Sequence, residues 1–400
     1  MIVLPASYFV MFIKRKIKPA NKGYLFAGAC IILGQIFSLI NSINIYRSFS
    51  VVLFSLLTLS YSYILFLLIK TENAFSKALK YLICIGSIVS LLSIWQFIRF
   101  GSGADVMLPF ERFVDSKTIT AESFEYSVNG NSYLRPSSTF VDVNITGGFL
   151  LVVVLLNATY LIEGLAKRKF KPEFWGFLSL FILNFSAFLL TVSRSAYLGL
   201  LIGGLIFLFI NLRSILNFRV LIMFVILLFS SLMIMIYFDT PIEAMWGRFH
   251  ATFITDDSTG STQKHAVFSQ SAFDIFRNNS LFGIGAGNFE EYYLTNIDNT
   301  EETAYTYNVY LGFLSETGIF GFLGQIYLIA YVIYSVIKSL NKMTDITTKL
   351  KTSSLLCAFV GILIANLFYA YYILFFVWML IGLQLSVSSF EFRISNEDNS

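Results

Sequence analysis

The sequence predicts an all-α polytopic integral membrane protein of about 11 transmembrane helices (about 10–12), with a large outer-face loop that contains short helices. Composition, the length of the apolar runs and the placement of basic residues predict it. Hydrophobic residues make up 56% of the 400 and charged residues 13%, about half of the ~25% charged content of soluble domains. Many apolar runs reach the roughly 20 residues that cross a bilayer. A soluble helical protein of this composition would have to bury almost every helix on all faces, so that class is excluded.

Taken in order, apolar spans fall at about 2–13, 24–45, 49–69, 81–99, 145–165, 174–192, 196–212, 220–238, 307–337, 354–369 and 372–388. The first is short, and its basic cluster follows the apolar stretch, which is not the order of a cleavable signal peptide. Four segments follow: N-terminal helices with an outer loop at 101–144 (1–144), central helices (145–239), a large polar loop (240–306), and C-terminal helices with a cytoplasmic tail (307–400).

Basic residues sort the spans. Lys14 to Lys22, Lys70 to Lys80, Lys167 to Lys171, Arg213, Arg219, Lys338, Lys342, Lys349, Lys351 and Arg393 all fall in loops on one side if the spans alternate. That side is cytoplasmic by the positive-inside rule. The opposite face holds the loops 101–144 and 240–306, a tight turn at Ser193–Arg194, and most of the acidic residues. A chain with its polar mass outside works on that face. The cytoplasmic loops are short and contain no Walker motif, so ATP-driven work is not expected. The absence of a strong internal repeat weighs against inverted-repeat transporters. Cys30, Cys84 and Cys357 lie in apolar runs, so no disulfide is expected. There is no His/Glu metal spacing and no DxD-type pair; no metal, cofactor or nucleic-acid partner is expected.

Several short stretches carry chemistry. Arg194 sits in FLLTVSRSAYLGLLIGG (188–204), where a cation at membrane depth marks a function or a snorkelling anchor. Its guanidinium suits a phosphate at headgroup level. LRPSSTFVDVNITGGFL (134–150) offers Arg135 as a second anion ligand, and Asp142 or Asn144 as a helix cap. TGSTQKHAVFSQSAFDIF (259–276) reads as an amphipathic outer helix with Lys264 and His265 in its first turns: a cation and a proton acceptor, or a solvated helix. His250 is the other imidazole. GIGAGNF (283–289) lacks a preceding strand and is no dinucleotide fingerprint. Its glycines suit a tight turn or close approach of backbone N–H groups to a ligand. In YNVYLGFLSETGIFG (307–321), Glu316 is an ionisable group inside a span, read as a structural hydrogen-bonding group, an acceptor-positioning group or a proton carrier.

Four pieces in this order, RPSSTFVDVN, TVSRSA, SLFGIGAGNF and YNVYLGFLSETGIFG, resemble the O-antigen ligase and polysaccharide polymerase superfamily over about residues 130–385. The resemblance implies a GT-C-like helical membrane glycosyltransferase. Such enzymes take a glycan from an undecaprenyl-diphosphate carrier and join it to an acceptor on the outer face, without nucleotide sugar or metal. Family members commonly carry His-Asn where this chain has Tyr307-Asn308, and an arginine where it has Lys264-His265. These departures favour the polymerase branch over ligases, which would use that histidine as base.

The expected enzyme is an inverting, metal-independent polymerase of lipid-linked repeat units in a bacterial plasma membrane. The bilayer, the donor and a glycan acceptor are its partners, and the resemblance brings in a chain-length regulator and a flippase. The catalytic set is Arg194, His265 and Glu316; the substrate-binding set is Arg135, Asn144, Arg194, Lys264, Tyr307 and Asn308. Trp246, Phe249, Phe289, Tyr292 and Tyr293 are available to stack on sugars or to sit in an interface belt. Ligase, lipid-linked-sugar transporter and inactive partner of an assembly complex are the competing readings.

Overall fold

The computed structural model describes residues 21–103, 106, 125–128, 131–140, 142–166, 170–212, 261–301, 303–371 and 374–397. The expected spans at 2–13 and 220–238, together with His250, Trp246 and Phe249, lie outside the described residues. The first three helices are α1 (Lys22–Ser38, continued by a 3-10 turn at Leu39–Asn41), α2 (Ile45–Leu68) and α3 (Glu72–Gly101). An antiparallel hairpin follows, β1 (Glu125–Val128) and β2 (Asn131–Leu134), with Glu125 opposite Leu134. Then come α4 (Val143–Ala166), α5 (Pro172–Leu190), α6 (Arg194–Ile210), α7 (Ser261–Asn278), α8 (Phe289–Asn296), α9 (Val309–Leu340), α10 (Ile346–Ala365) and α11 (Phe375–Glu397).

The architecture is helical. Among the described residues, seven helices (α1 to α5, α9 and α10) are long and apolar enough to cross a membrane; α6 and Phe375–Ser388 of α11 are apolar but shorter. This is the pattern of a polytopic membrane protein. Polar caps start several of the apolar runs: Asn21 Oδ1 accepts from Tyr24 N at 3.0 Å and Asn44 Oδ1 from Arg47 N at 3.1 Å, each satisfying an orphan helix donor. Pro172 sits in the first turn of α5, where its missing N–H costs nothing.

The elements group into two compact units. One contains α1, α2, the first residues of α3, α7 to α9, and α11. In it α1 and α9 run antiparallel, so close that a Cβ built on Gly34 would lie 2.4 Å from Gly321 Cα. Without a hydrophobic driving force between helices in lipid, such small-residue contacts and interhelical hydrogen bonds supply the packing. The buried Tyr24 hydroxyl donates to Leu59 O at 2.9 Å and also bonds Ser62 Oγ.

The other unit contains most of α3, the hairpin, α4 to α6 and α10. Its central helix is α4, whose apolar window is 94% buried. A Cβ on Gly199 of α6 would lie 2.5 Å from Gly361 O of α10. Asn211 Nδ2 donates to Ser353 Oγ at 2.9 Å and Ser354 Oγ to Leu155 O at 2.8 Å.

Three expectations are corrected. The hairpin is strand in a chain expected to be helical throughout. Helix α10 begins at Ile346 rather than 354, because Asp345 Oδ2 accepts from Thr348 N at 2.8 Å and caps it. Lys349 and Lys351 therefore lie in a helix and not in a loop; Lys351 is 8% exposed, with Nζ 3.2 Å from Ser76 Oγ and 3.7 Å from Glu163 Oε2. Finally α9 is broken: Gly318 has φ 62° and ψ −167° in the middle of an otherwise helical run.

Candidate functional site

The second unit builds one cluster at the junction of α5 and α6. The turn is Thr191–Ser193, and Arg194 is the first residue of α6 rather than part of the turn. Val192 has φ 45°, a left-handed conformation that is an outlier for a β-branched residue. Arg135 holds it: Nε donates to Thr191 O at 3.0 Å and Nη2 to Val192 O at 3.4 Å. The same Nη2 donates to Asn144 Oδ1 at 3.1 Å, which also accepts from Ser193 Oγ at 3.0 Å. Asp142, not Asn144, caps α4, with Oδ1 accepting from Asn144 N at 2.7 Å and Ile145 N at 3.1 Å. Arg135 and Asn144, expected as substrate ligands, thus spend these groups on the turn that presents Arg194 at a helix N-terminus. There the backbone N–H groups and the guanidinium favour the same thing, negative charge.

The first unit builds the other cluster around the glycine-rich loop between α7 and α8. The residues before Gly318 have no normal helical partners beyond the break, and the loop supplies them. Ile284 N donates to Ser315 O and Gly285 N to Glu316 O, both at 3.0 Å, while Ile319 N donates to Ser280 O at 2.9 Å. The Glu316 carboxylate takes two more: Oε2 accepts from Gly287 N at 2.8 Å and Oε1 from Phe289 N at 3.1 Å. Ala286 N donates to Ser38 Oγ at 3.2 Å and Asn288 N to Gly285 O at 3.2 Å. Every N–H from 284 to 289 is therefore taken by the protein, and the loop is a built turn rather than a ligand cradle. Gly283, Gly285 and Gly287 have φ of 69°, 97° and 78°; this alternation is what the GIGAG spacing encodes. From the other side Arg47 pairs with Glu290 at 2.8 Å and Asn44 Nδ2 donates to Glu291 Oε2 at 2.9 Å.

Above the loop lies a small core of Phe268, Ala272, Ile275, Ile284, Phe289, Tyr293 and Ala304, with Tyr307 packed against it. Phe289 and Tyr293 are 2% and 3% exposed, which corrects their availability for sugar stacking. One turn before Phe268, the half-buried His265 ring lies parallel to Tyr307 at 3.6 Å between centroids and 6° between planes. Asn308, beside Tyr307, caps α9, with Oδ1 accepting from Tyr310 N at 3.0 Å and Leu311 N at 3.2 Å. Lys264 is exposed and pairs with Glu301 at 2.7 Å; hydrogen bonding to that carboxylate holds its ammonium above the ordinary lysine range. Among the described residues no group of three or more His, Cys, Asp or Glu side chains is placed to hold a metal.

The structure brings together Arg135, Asn144 and the turn before Arg194 in one unit, and Lys264, His265, Tyr307, Asn308 and Glu316 around one core in the other. Sequence reading missed Glu301, although an acid 37 residues from Lys264 offers no local signal. It also missed Arg47 and Asn44, whose partners lie in NFEE (288–291).

Two comparisons bear on this arrangement. Residues 178–326 match the O-antigen ligase family model, a segment that contains Arg194, His265, Tyr307 and the loop clamped by Glu316. The teichuronic acid biosynthesis protein TuaE of Bacillus subtilis (strain 168) is 25% identical over 206 residues, 49% of this chain and 41% of that protein. The match thus spans about two fifths of that relative's length. Residues 178–326 are thus similar to the O-antigen ligase family, in a chain whose helices are long and apolar enough for a polytopic membrane protein.

Proposed function

We propose that the chain is a glycosyltransferase that polymerises oligosaccharide repeat units carried on undecaprenyl diphosphate, at the outer face of a bacterial plasma membrane. The observation that carries the reading is the position of Arg194, first in α6, inside the family-matched segment and behind a turn fixed by Arg135. A guanidinium at a helix N-terminus grips a diphosphate and stabilises the charge that develops as it leaves. Arg135 and Asn144 position that turn, and Lys264 adds a cation at the outer face. Attack from the opposite face inverts the anomeric carbon.

The proton of the acceptor hydroxyl goes to His265, held flat against Tyr307 beside the Asn308 cap. Glu316 is the weaker base because both its oxygens already accept backbone N–H groups. The polymerase reading over the ligase rests on tyrosine at position 307. A chain-length regulator and a flippase are its proposed partners.

The test is glycan analysis of a deletion strain complemented with wild-type protein or Arg194→Ala. A polymerase loses long chains with the variant, while single repeat units still reach the final acceptor. Full-length chains stranded on the lipid carrier would make it a ligase instead. Repeat units trapped on the cytoplasmic leaflet would make it a transporter, and normal polymer with Arg194→Ala would overturn the assigned role.

A further inference from the structure

We infer that Glu316 is a positioning residue, whose carboxylate fastens the 280–289 loop into the break of α9 and so sets His265 against Tyr307. The inference rests on the reading of His265 as the proton acceptor.

The mechanical path is continuous. Glu316 accepts from Gly287 N and Phe289 N at 2.8 and 3.1 Å. These donors flank Asn288, whose Nδ2 donates to Ser42 Oγ at 2.8 Å, Ser48 Oγ at 3.1 Å and Ile284 O at 3.1 Å. Ser48 Oγ in turn donates to Ala286 O at 2.9 Å. The loop is thus gripped by the α1–α2 connection on one side and by α9 on the other. Its apolar residues Ile284 and Phe289 enter the core that holds Phe268 of α7, and Tyr307 packs on that core. His265 is one helical turn from Phe268, and the Phe268 ring lies 6.1 Å from that of Tyr307. Release of Gly287 and Phe289 frees the residue that packs Phe268, and with it the register of His265 on Tyr307. Broken membrane helices need their freed backbone groups satisfied by neighbours. Here a side chain and a glycine loop do so, and the same bonds transmit position to the outer helix.

The experiment is hydrogen–deuterium exchange on the full chain in nanodiscs, with polymerisation kinetics on the same samples. Wild-type amides at 287 and 289 exchange as slowly as those within α9; exchange at open-peptide rates overturns the inference without any variant. Glu316→Gln keeps one acceptor and puts a donor against the other N–H. Exchange at these two amides rises by about tenfold or more. At the same time kcat falls about tenfold or more while KM for the lipid-linked donor stays within about twofold. Unchanged exchange in the variant overturns the clamp. Faster exchange with unchanged kcat, or with the loss expressed in KM, overturns the positioning role. If wild-type protein makes no polymer, the polymerase reading fails, and the exchange data, which involve no sugar, still decide the clamp.

Discussion

Replacing Gly318 with alanine separates two lines of reasoning by sign. Read as an interior residue of an apolar helix, the glycine is a weak point whose replacement by alanine stabilises by about 1 kcal/mol. The structure argues the reverse. At φ 62° and ψ −167° the residue occupies a region essentially restricted to glycine, where any other residue costs about 1–3 kcal/mol. The new Cβ would also lie 2.3 Å from Leu281 O, 2.4 Å from Leu281 C and 2.7 Å from Phe282 N. These are backbone atoms of a loop tied down on both sides, so relief requires breaking one or two of its bonds to α9, at about 1 kcal/mol each or more if left unmade. The net is a destabilisation of about 3 kcal/mol, set by strain and clash against propensity. Gly204, in α6 with nothing within 4 Å of an added Cβ, is the matched control and gains from the same change. Thermal unfolding midpoints in one detergent and amide exchange over 280–289 report the outcome without assuming a two-state transition. A Gly318→Ala protein as stable as wild type, with its loop still protected, would refute the reasoning.

Other changes test other parts of the molecule. Arg135→Ala leaves the Thr191 and Val192 carbonyls and Asn144 without this donor; we expect about 2–3 kcal/mol of lost stability and a loss of polymer similar to that of Arg194→Ala. Arg135→Lys does not rescue it, because one ammonium cannot reproduce the fork; full rescue would count against the clamp geometry. Asn308→Ala removes the α9 cap and costs about 1 kcal/mol, read as a lower unfolding midpoint. Glu301→Gln returns the Lys264 titration towards the ordinary lysine value, followed by NMR of isotopically methylated lysines. The sign follows from the raised Lys264 value: the pair's contribution is complete below the unfolded lysine pKa of about 10.4 and is lost as pH rises through the folded one. An unmoved Lys264 resonance would mean that Glu301 is not its partner in solution.

Much of the fold was legible because membrane helices are written locally. Twenty apolar residues between basic loops identify a span wherever its neighbours are, whereas the caps at Asn21, Asn44 and Asn308 were seen only once the helices were in place. The boundary of α10 was not legible, because Lys349 and Lys351 read as loop residues until Asp345, Ser76 and Glu163 are placed around them. At the candidate site, residue types singled out polar groups, and only the structure shows what each of them bonds. Arg135, Asn144 and Glu316 each stood out as polar groups next to or inside apolar segments, yet Arg135 and Glu316 bond the protein's own backbone and Asn144 bonds the Arg135 and Ser193 side chains.

The sequence by itself determined the helical membrane class and the places of the long apolar helices, since hydropathy and charge placement are properties of the chain alone. The tertiary structure decided which polar groups are already satisfied. Glu316 meets Gly287 and Phe289 across 29 and 27 residues, and Arg135 meets Thr191 across 56. No local pattern encodes such pairings, because a buried donor or acceptor is satisfied by whatever the fold brings beside it.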